Sequence, residues 1–236
     1  MIKSYVCVDL ETTGLNPKTD KIIEIGAVKV VDGEIVERFS SFVNPGRKLE
    51  NRVVELTGIH DEDLADAPCI EEVLPKIMEF IGDNYLLGHS VLFDFSFLKK
   101  AAVNQKLTFE KEAIDTLKIS RKYLADLESR SLEFLCNHYG IELHAHRALA
   151  DAEATHLLYG KLTELFYGEQ EDTFRPKKLI YKAKKDGPAT NSQKERLYRL
   201  INQHNITLDV DVEMLTKSEA SRIIDQLRVQ IGQTGL

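Results

Sequence analysis

The sequence predicts an α/β fold: a mixed β-sheet flanked by helices, with a small helical module at the C-terminus. Three observations predict it. Three β-type segments open the chain, alternating helical and strand-like segments follow, and two capped amphipathic helices close it. The 236 residues, 43% hydrophobic and 29% charged, suffice for one sizeable core plus an appendage and exclude general disorder.

The first strand is Tyr5-Val6-Cys7-Val8-Asp9-Leu10, and the second runs from Ile22 to Val31. An Asp32-Gly33 turn leads into the third, Ile35 to Val43, which makes these two an antiparallel hairpin. Asn44 to Pro68, bearing Pro and Gly, reads as irregular. Val73, Leu74, Ile77, Phe80 and Ile81 have helical spacing, predicting a helix over 70–81. Tyr85 to Gly88 is a short buried strand and Leu92 to Val103 a helix. Ala113-Ile114 is a strand whose following Asp115-Thr116 can cap a helix reaching Tyr123. Ser131 to Tyr139 is a helix closed by Gly140, and Ala148 to Phe166 is the longest.

Residues 1–168 therefore read as one domain and residues 169–189, polar and basic with Pro176 and Pro188, as a linker. Residues 190–236 form the accessory module, whose helices open with the capping-box patterns Thr190-x-x-Gln193 and Thr216-x-x-Glu219. Leu197, Leu200, Ile223 and Leu227 pack them together, with Val210 and Val212 in an extended segment between. The net charge of -7 hides an asymmetry. From Phe174 onward there are 12 basic and 7 acidic residues; the preceding body has 19 basic and 31 acidic. An acidic body suits divalent cations, and a basic tail suits a phosphate backbone or a solvated spacer. Cys7, Cys69 and Cys136 lack disulfide or zinc spacing and read as reduced thiols of a cytoplasmic protein. No apolar run approaches the ~20 residues of a membrane span, and the N-terminus lacks the apolar stretch of a signal peptide.

Carboxylates stand where a core should be. Asp9 and Glu11, at i and i+2, share one face at the end of an apolar strand. On that feature alone, solvent-exposed acids at a strand end explain the pair equally well. Asp94 lies on the same helical stripe as Phe97, Leu98 and Ala101, and Asp151 on that of Ala154, Leu158, Leu162 and Leu165. A buried carboxylate costs several kcal/mol unless paired; an arginine or a helix N-terminus would satisfy any one of them. If all four converge, each pair ~4 Å apart repels by about 4 kcal/mol at an effective dielectric of 20. Divalent cations would offset that repulsion, and an all-oxygen donor set favours Mg²⁺ or Mn²⁺ over Zn²⁺. Two such ions serve in-line displacement at phosphorus. His146, five positions before Asp151, is a candidate base for deprotonating water, and the adjacent His144 reads as surface.

Three motifs carry a family resemblance: Val8-Asp9-Leu10-Glu11-Thr12-Thr13-Gly14-Leu15, Gly88-His89-Ser90-Val91-Leu92-Phe93-Asp94-Phe95-Ser96-Phe97-Leu98, and His146-Arg147-Ala148-Leu149-Ala150-Asp151-Ala152. In this order they resemble the DEDD exonucleases, in the histidine-containing (DEDDh, DnaQ-like) branch that includes the proofreading epsilon-type exonuclease of bacterial DNA polymerase III. Leu56-Thr57-Gly58-Ile59 and Ser131-Leu132-x-x-Leu135 resemble segments between the motifs. The resemblance implies an RNase H-like sheet and a two-metal 3′→5′ exonuclease acting on DNA. Asp9 would bridge both ions, Glu11 and Asp151 would complete one site, Asp94 would act close by and His146 would be the general base. Thr12, Thr13, Leu15 and His89 would bind the terminal nucleotide, and Phe93 and Phe97 would stack on bases or pack in the core. The expected partners are the 3′ end of a nucleic acid and a DNA polymerase or another replication or repair protein, with no membrane. Ser90 departs from the family, where Asn is common. An RNase T-like RNA-trimming enzyme shares every catalytic residue. A haloacid dehalogenase-like phosphatase would need Asp-x-Asp, and a non-catalytic module of the same fold would usually lack one of the carboxylates, all of which are present here.

Overall fold

The apolar run of strand β1 (Tyr5–Thr12) lies at the centre of a six-stranded sheet in a computed structural model that describes residues 1–143, 146–168, 171–208 and 210–234. Strand β2 (Ile22–Val31) pairs antiparallel with β1 and with β3 (Glu34–Phe42). The turn joining β2 to β3 holds Asp32 at φ 53° and Gly33 at φ 93°. Both residues are left-handed, as the twist of a tight hairpin requires.

The stretch read as irregular contains two short helices, α1 (Asn51–Thr57) and α2 (Asp61–Leu64). No capping side chain marks the start of α1, which is why spacing alone missed it. Gly58, at φ 66°, ends it, and Val53, Ile59 and Leu64 pack on Ile23. Helix α3 (Ile70–Ile81), strand β4 (Leu86–Gly88) and helix α4 (Leu92–Asn104) follow. Strand β5 (Glu112–Asp115) then leads directly into α5 (Thr116–Tyr123), whose first amides Asp115 accepts at 3.0 and 3.3 Å. Helix α6 (Leu132–Tyr139) is capped by Ser131, and α7 (Ala148–Phe166) spans 19 residues.

Strands β1, β4 and β5 are parallel, and the sheet order is β3-β2-β1-β4-β5 plus one further strand. Alternation along β1 divides the core. Val6, Val8 and Leu10 pack with residues of α3 and α4, while Tyr5 and Cys7 pack with residues of α5, α6 and α7.

The segment expected to be a linker is fastened along the domain. Phe174 is 2% exposed, and strand β6 (Lys177–Lys178) adds antiparallel to β5 as the last strand of the sheet. Leu179 and Tyr181 pack on the core, Leu179 N–H donates to Lys111 O, and Lys100 Nζ donates to Lys184 O and Asp186. Its apolar residues, spaced among the charges, explain the ordering. Helices α8 (Asn191–His204) and α9 (Lys217–Thr234) begin with the two capping boxes and share a core of Leu197, Ile224 and Leu227. Between them Val212 starts a single turn of 3₁₀ helix, in place of the extended segment expected.

Candidate active site

The same alternation that places Val8 and Leu10 against α4 turns Asp9 and Glu11 toward α7. Two residues of β2 bring α7 to them. Gly26 faces Asp9 across the strand pair, and a Cβ there would lie 2.1 Å from the backbone of Ala148 and Leu149. Only a glycine lets the helix start rest on the sheet at this point. Glu24, opposite Glu11 and 2% exposed, accepts the Ala148 N–H at 3.1 Å and pairs with Arg147 at 3.0 Å. It satisfies an orphan amide at the N-terminus of α7 and favours the positive end of the helix.

With α7 seated this way, Asp151 lies in its first turn and its Oδ2 accepts the His146 N–H at 3.1 Å. His146 holds φ 65°, a left-handed backbone that is uncommon for any residue bearing a Cβ. Ligating atoms of Glu11, His146 and Asp151 come within 4.8 Å of one another. Asp94 arrives from the opposite face. Its Oδ1 accepts the Leu10 N–H at 3.1 Å, a group on β1 beyond the end of β4. His144, read as surface, lies outside the described residues.

The electrostatics match a site built for cations. Burial, then Asp94, Asp151 and Glu11, pushes the Asp9 carboxyl well above the usual carboxylate range. Burial does the same for Asp94. Burial, Asp151 and Glu24 push Glu11 up to about 8, and burial pushes Asp151 up to about 6. Asp151 Oδ1 is buried with no hydrogen-bond partner among the described residues. An orphaned carboxylate oxygen beside other raised carboxyls, with one imidazole and no thiolate, fits a divalent metal with a preference for oxygen.

The residues expected to bind substrate fall into two groups. Leu15 is 83% exposed, and Thr12 is partly exposed with its hydroxyl donating to Gly14 O at 2.7 Å. Phe93, partly exposed, packs on Phe97 at 5.0 Å between ring centres. Phe97, 3% exposed, sits in the core. Thr13 is also buried, its hydroxyl accepting from Lys21 N–H and Arg47. His89 makes contacts with both ring nitrogens, to Thr116 Oγ1 and Arg130 O. That ties the end of β4 to the loop before α6 and leaves neither nitrogen for a nucleotide. Ser90 holds φ 75°, a left-handed backbone that Asn, the residue the family resemblance leads one to expect there, tolerates better than Ser.

Sequence reasoning missed Glu24, although an acid inside the apolar run Ile22-Ile23-Glu24-Ile25 was its signal. It also missed a bridge between the two ends of the chain. Asp20 is clasped by Arg47 at 3.4 Å and by Arg222 of α9 at 3.2 Å, and Lys21 pairs with Glu219 at 2.7 Å. No local pattern could pair residues so far apart in the chain.

A model of an exonuclease family, the RNase T exonucleases, matches residues 6–159. The chain belongs to this exonuclease family. Members of its DEDD kind depend on divalent metal. The chain is 45% identical over 152 residues to a DNA polymerase III PolC-type of Clostridium perfringens, covering 64% of this chain and 10% of that one. It is 41% identical over 165 residues to a DNA polymerase III PolC-type of Staphylococcus aureus, covering 68% and 11%. The chain thus spans about a tenth of the length of the polymerases it matches. Exonuclease X in complex with 5′-overhanging duplex DNA aligns with a TM-score of 0.57 at 28% identity, covering 72% of this chain and 96% of that one. Exonuclease I of Escherichia coli with single-stranded DNA aligns at 0.65 and 20% identity, covering 73% and 42%, and shares the fold. No helix among the described residues is long and apolar enough to cross a membrane.

Proposed function

We propose that this protein hydrolyses DNA from the 3′ end, releasing nucleoside monophosphates from single-stranded or mispaired termini. The observation that carries the reading is the convergence of Glu11, His146 and Asp151, with Asp9 beside Glu11 on the same strand face. Asp9, Glu11, Asp94 and Asp151 would hold two divalent ions, Mg²⁺ or Mn²⁺. The ions supply charge stabilisation at the scissile phosphate and a more acidic water. Raised carboxyl pKa values favour this assignment, because a bound cation offsets the burial and, after it, the mutual repulsion that disfavour the ionised acids.

His146 is the proposed general base. The bond between its own N–H and Asp151 fixes its backbone, and the imidazole takes the proton from the attacking water. Glu24 and Gly26 do no chemistry but set where α7 begins. Thr12 and Leu15 are the groups proposed to meet the terminal sugar and base, with the partly exposed Phe93 offering a further apolar surface. The similarity to segments of PolC-type polymerases supports DNA over RNA as the substrate, and action alongside a DNA polymerase.

The test compares 5′-end-labelled single-stranded DNA, duplex DNA with a mismatched 3′ end, fully paired duplex and RNA of the same sequence, each with Mg²⁺ or Mn²⁺. Stepwise shortening is expected, fastest on single strands and mismatched ends and slowest on RNA. Faster trimming of RNA would reassign the enzyme to RNA maturation.

A further inference from the structure

A second charged cleft lies at the same end of the sheet as the carboxylates. Strand β6 holds Lys178 and Lys177 in register opposite Glu112 and Ala113 of β5, with both lysines exposed. Across from them, α5 presents Lys118 and Lys122, one turn apart on one helix face. Together with Arg175 these side chains line a cavity of about 310 Å³. The cations come from two elements far apart in sequence, so their convergence is a product of the fold rather than a run of like residues.

The acids in the cleft do not cancel this charge. Asp115 accepts the N–H groups of Ser90, Leu117 and Lys118 through Oδ1 at 3.1, 3.0 and 3.3 Å, so that oxygen serves the start of α5, and its Oδ2 lies 3.9 Å from Lys118 Nζ. Asp172, 77% exposed, lies 3.5 Å from Lys177 and 4.0 Å from Arg175, pairs that contribute little in water. Five cations against two acids leave an excess of three positive charges.

Register fixes where the cleft stands relative to the catalytic cluster. Gly88 pairs with Asp115, and Leu87 with Cys7, so Asp115 is level with the end of β1 that bears Asp9. Two strand spacings separate them, about 10 Å. At ~3.4 Å of axis per stacked nucleotide, the near edge of the cleft is about three nucleotides away, and Lys177, one strand farther out and level with Val6, lies beyond that edge. Beyond the cleft, Tyr181 packs inward while Lys182 and Lys184 stay exposed along the same strap.

We propose that this cleft holds the phosphodiester backbone of the nucleic acid leading away from the terminal nucleotide. The proposal rests on the exonuclease reading, and its site is separate from the catalytic carboxylates. It makes the basic strap a substrate rail rather than a spacer.

Binding of fluorescent single-stranded DNA of 2 and 16 nucleotides, measured in EDTA across a range of salt, tests it. The full-length chain is compared with the Lys118→Gln/Lys178→Gln variant and with Lys76→Gln/Lys106→Gln, which removes equal charge elsewhere. The cleft variant is expected to bind the 16-mer several-fold more weakly. Its salt dependence should be shallower by about 0.7 for each phosphate that is no longer neutralised. The dinucleotide, too short to reach the cleft, should be bound and, with Mg²⁺, cleaved as by the parent, and the control variant should match the parent throughout. Unchanged affinity and salt slope for the cleft variant, or an equal loss in the control, would overturn the proposal. The first result would point the cleft at an acidic protein surface instead. Failure of the exonuclease reading shows separately, as absence of cleavage of either oligonucleotide by the parent chain.

Discussion

At the scale of single residues, the site is made of groups in the wrong place for stability. Asp9, Glu11, Asp94 and Asp151 are held where burial, and after it their neighbours, push their pKa values up. Glu11, pushed up to about 8, and Asp151, pushed up to about 6, hold protons that the unfolded chain releases near pH 4. Their contribution to stability is therefore greatest below pH 4 and is lost as pH rises through 6 and then 8. Thermal unfolding in EDTA should show a melting temperature that falls from about pH 5 to about pH 8.5, and divalent ion should restore it at the upper end. A metal-free protein equally stable across that range would show that the carboxyls are not coupled as described. Asp94 and Asp151 were legible in the sequence because acids on apolar stripes violate the burial pattern around them, Asp9 and Glu11 because they share one strand face, and His146 only through its spacing to Asp151 and the family resemblance. Thr13 and His89 were less so. Their motif positions point to substrate, whereas their hydrogen bonds point into the protein, and hydrogen bonds between distant segments leave no periodic trace.

At the scale of elements, the placement of α7 decides whether the site exists. Gly26 and Glu24 of β2 are its seat, one by absence of a side chain and the other by capping the first amide. Gly26→Ala would force the start of α7 away from the sheet. The expected cost is about 1–3 kcal/mol, as for other overpacked contacts, measured by denaturant unfolding. Activity should fall further than that loss explains, because His146 and Asp151 move with the helix. Full activity in a folded Gly26→Ala protein would mean that the helix start is not what positions them. Elements with strong spacing or caps (β2, α3, α6, α7) were readable to within a residue or so at either end. Helices α1 and α2 were not, being short and poorly marked, and β6 was hidden because two lysines carry no strand signal. Only pairing with β5 makes them a strand.

At the scale of the whole molecule, the C-terminal module is joined to the loop that follows the first motif. Arg222 reaches Asp20 and, at 2.6 Å, Glu50, while Arg47 links Asp20 to Thr13. Gly14 lies so close to the Asp20 carboxylate that a Cβ would sit 2.5 Å from it. The module thus braces the segment that presents Thr12 and Leu15. Arg222→Ala should reduce hydrogen-exchange protection over residues 13–21 and raise KM for DNA more than it lowers kcat. Unchanged protection there would show that the loop stands without the module. On the proposed function, the buried acids and His146 drive metal-dependent removal of nucleotides from the 3′ end. Single-stranded DNA labelled at its 5′ end should yield a ladder of shortening products with Mg²⁺ or Mn²⁺, and none in EDTA. Asp9→Asn should abolish the ladder with the fold intact, and His146→Ala should slow it by about 10²–10⁴-fold. A ladder undiminished in EDTA or in Asp9→Asn, or release of the 5′ label as a mononucleotide at the outset, would contradict it.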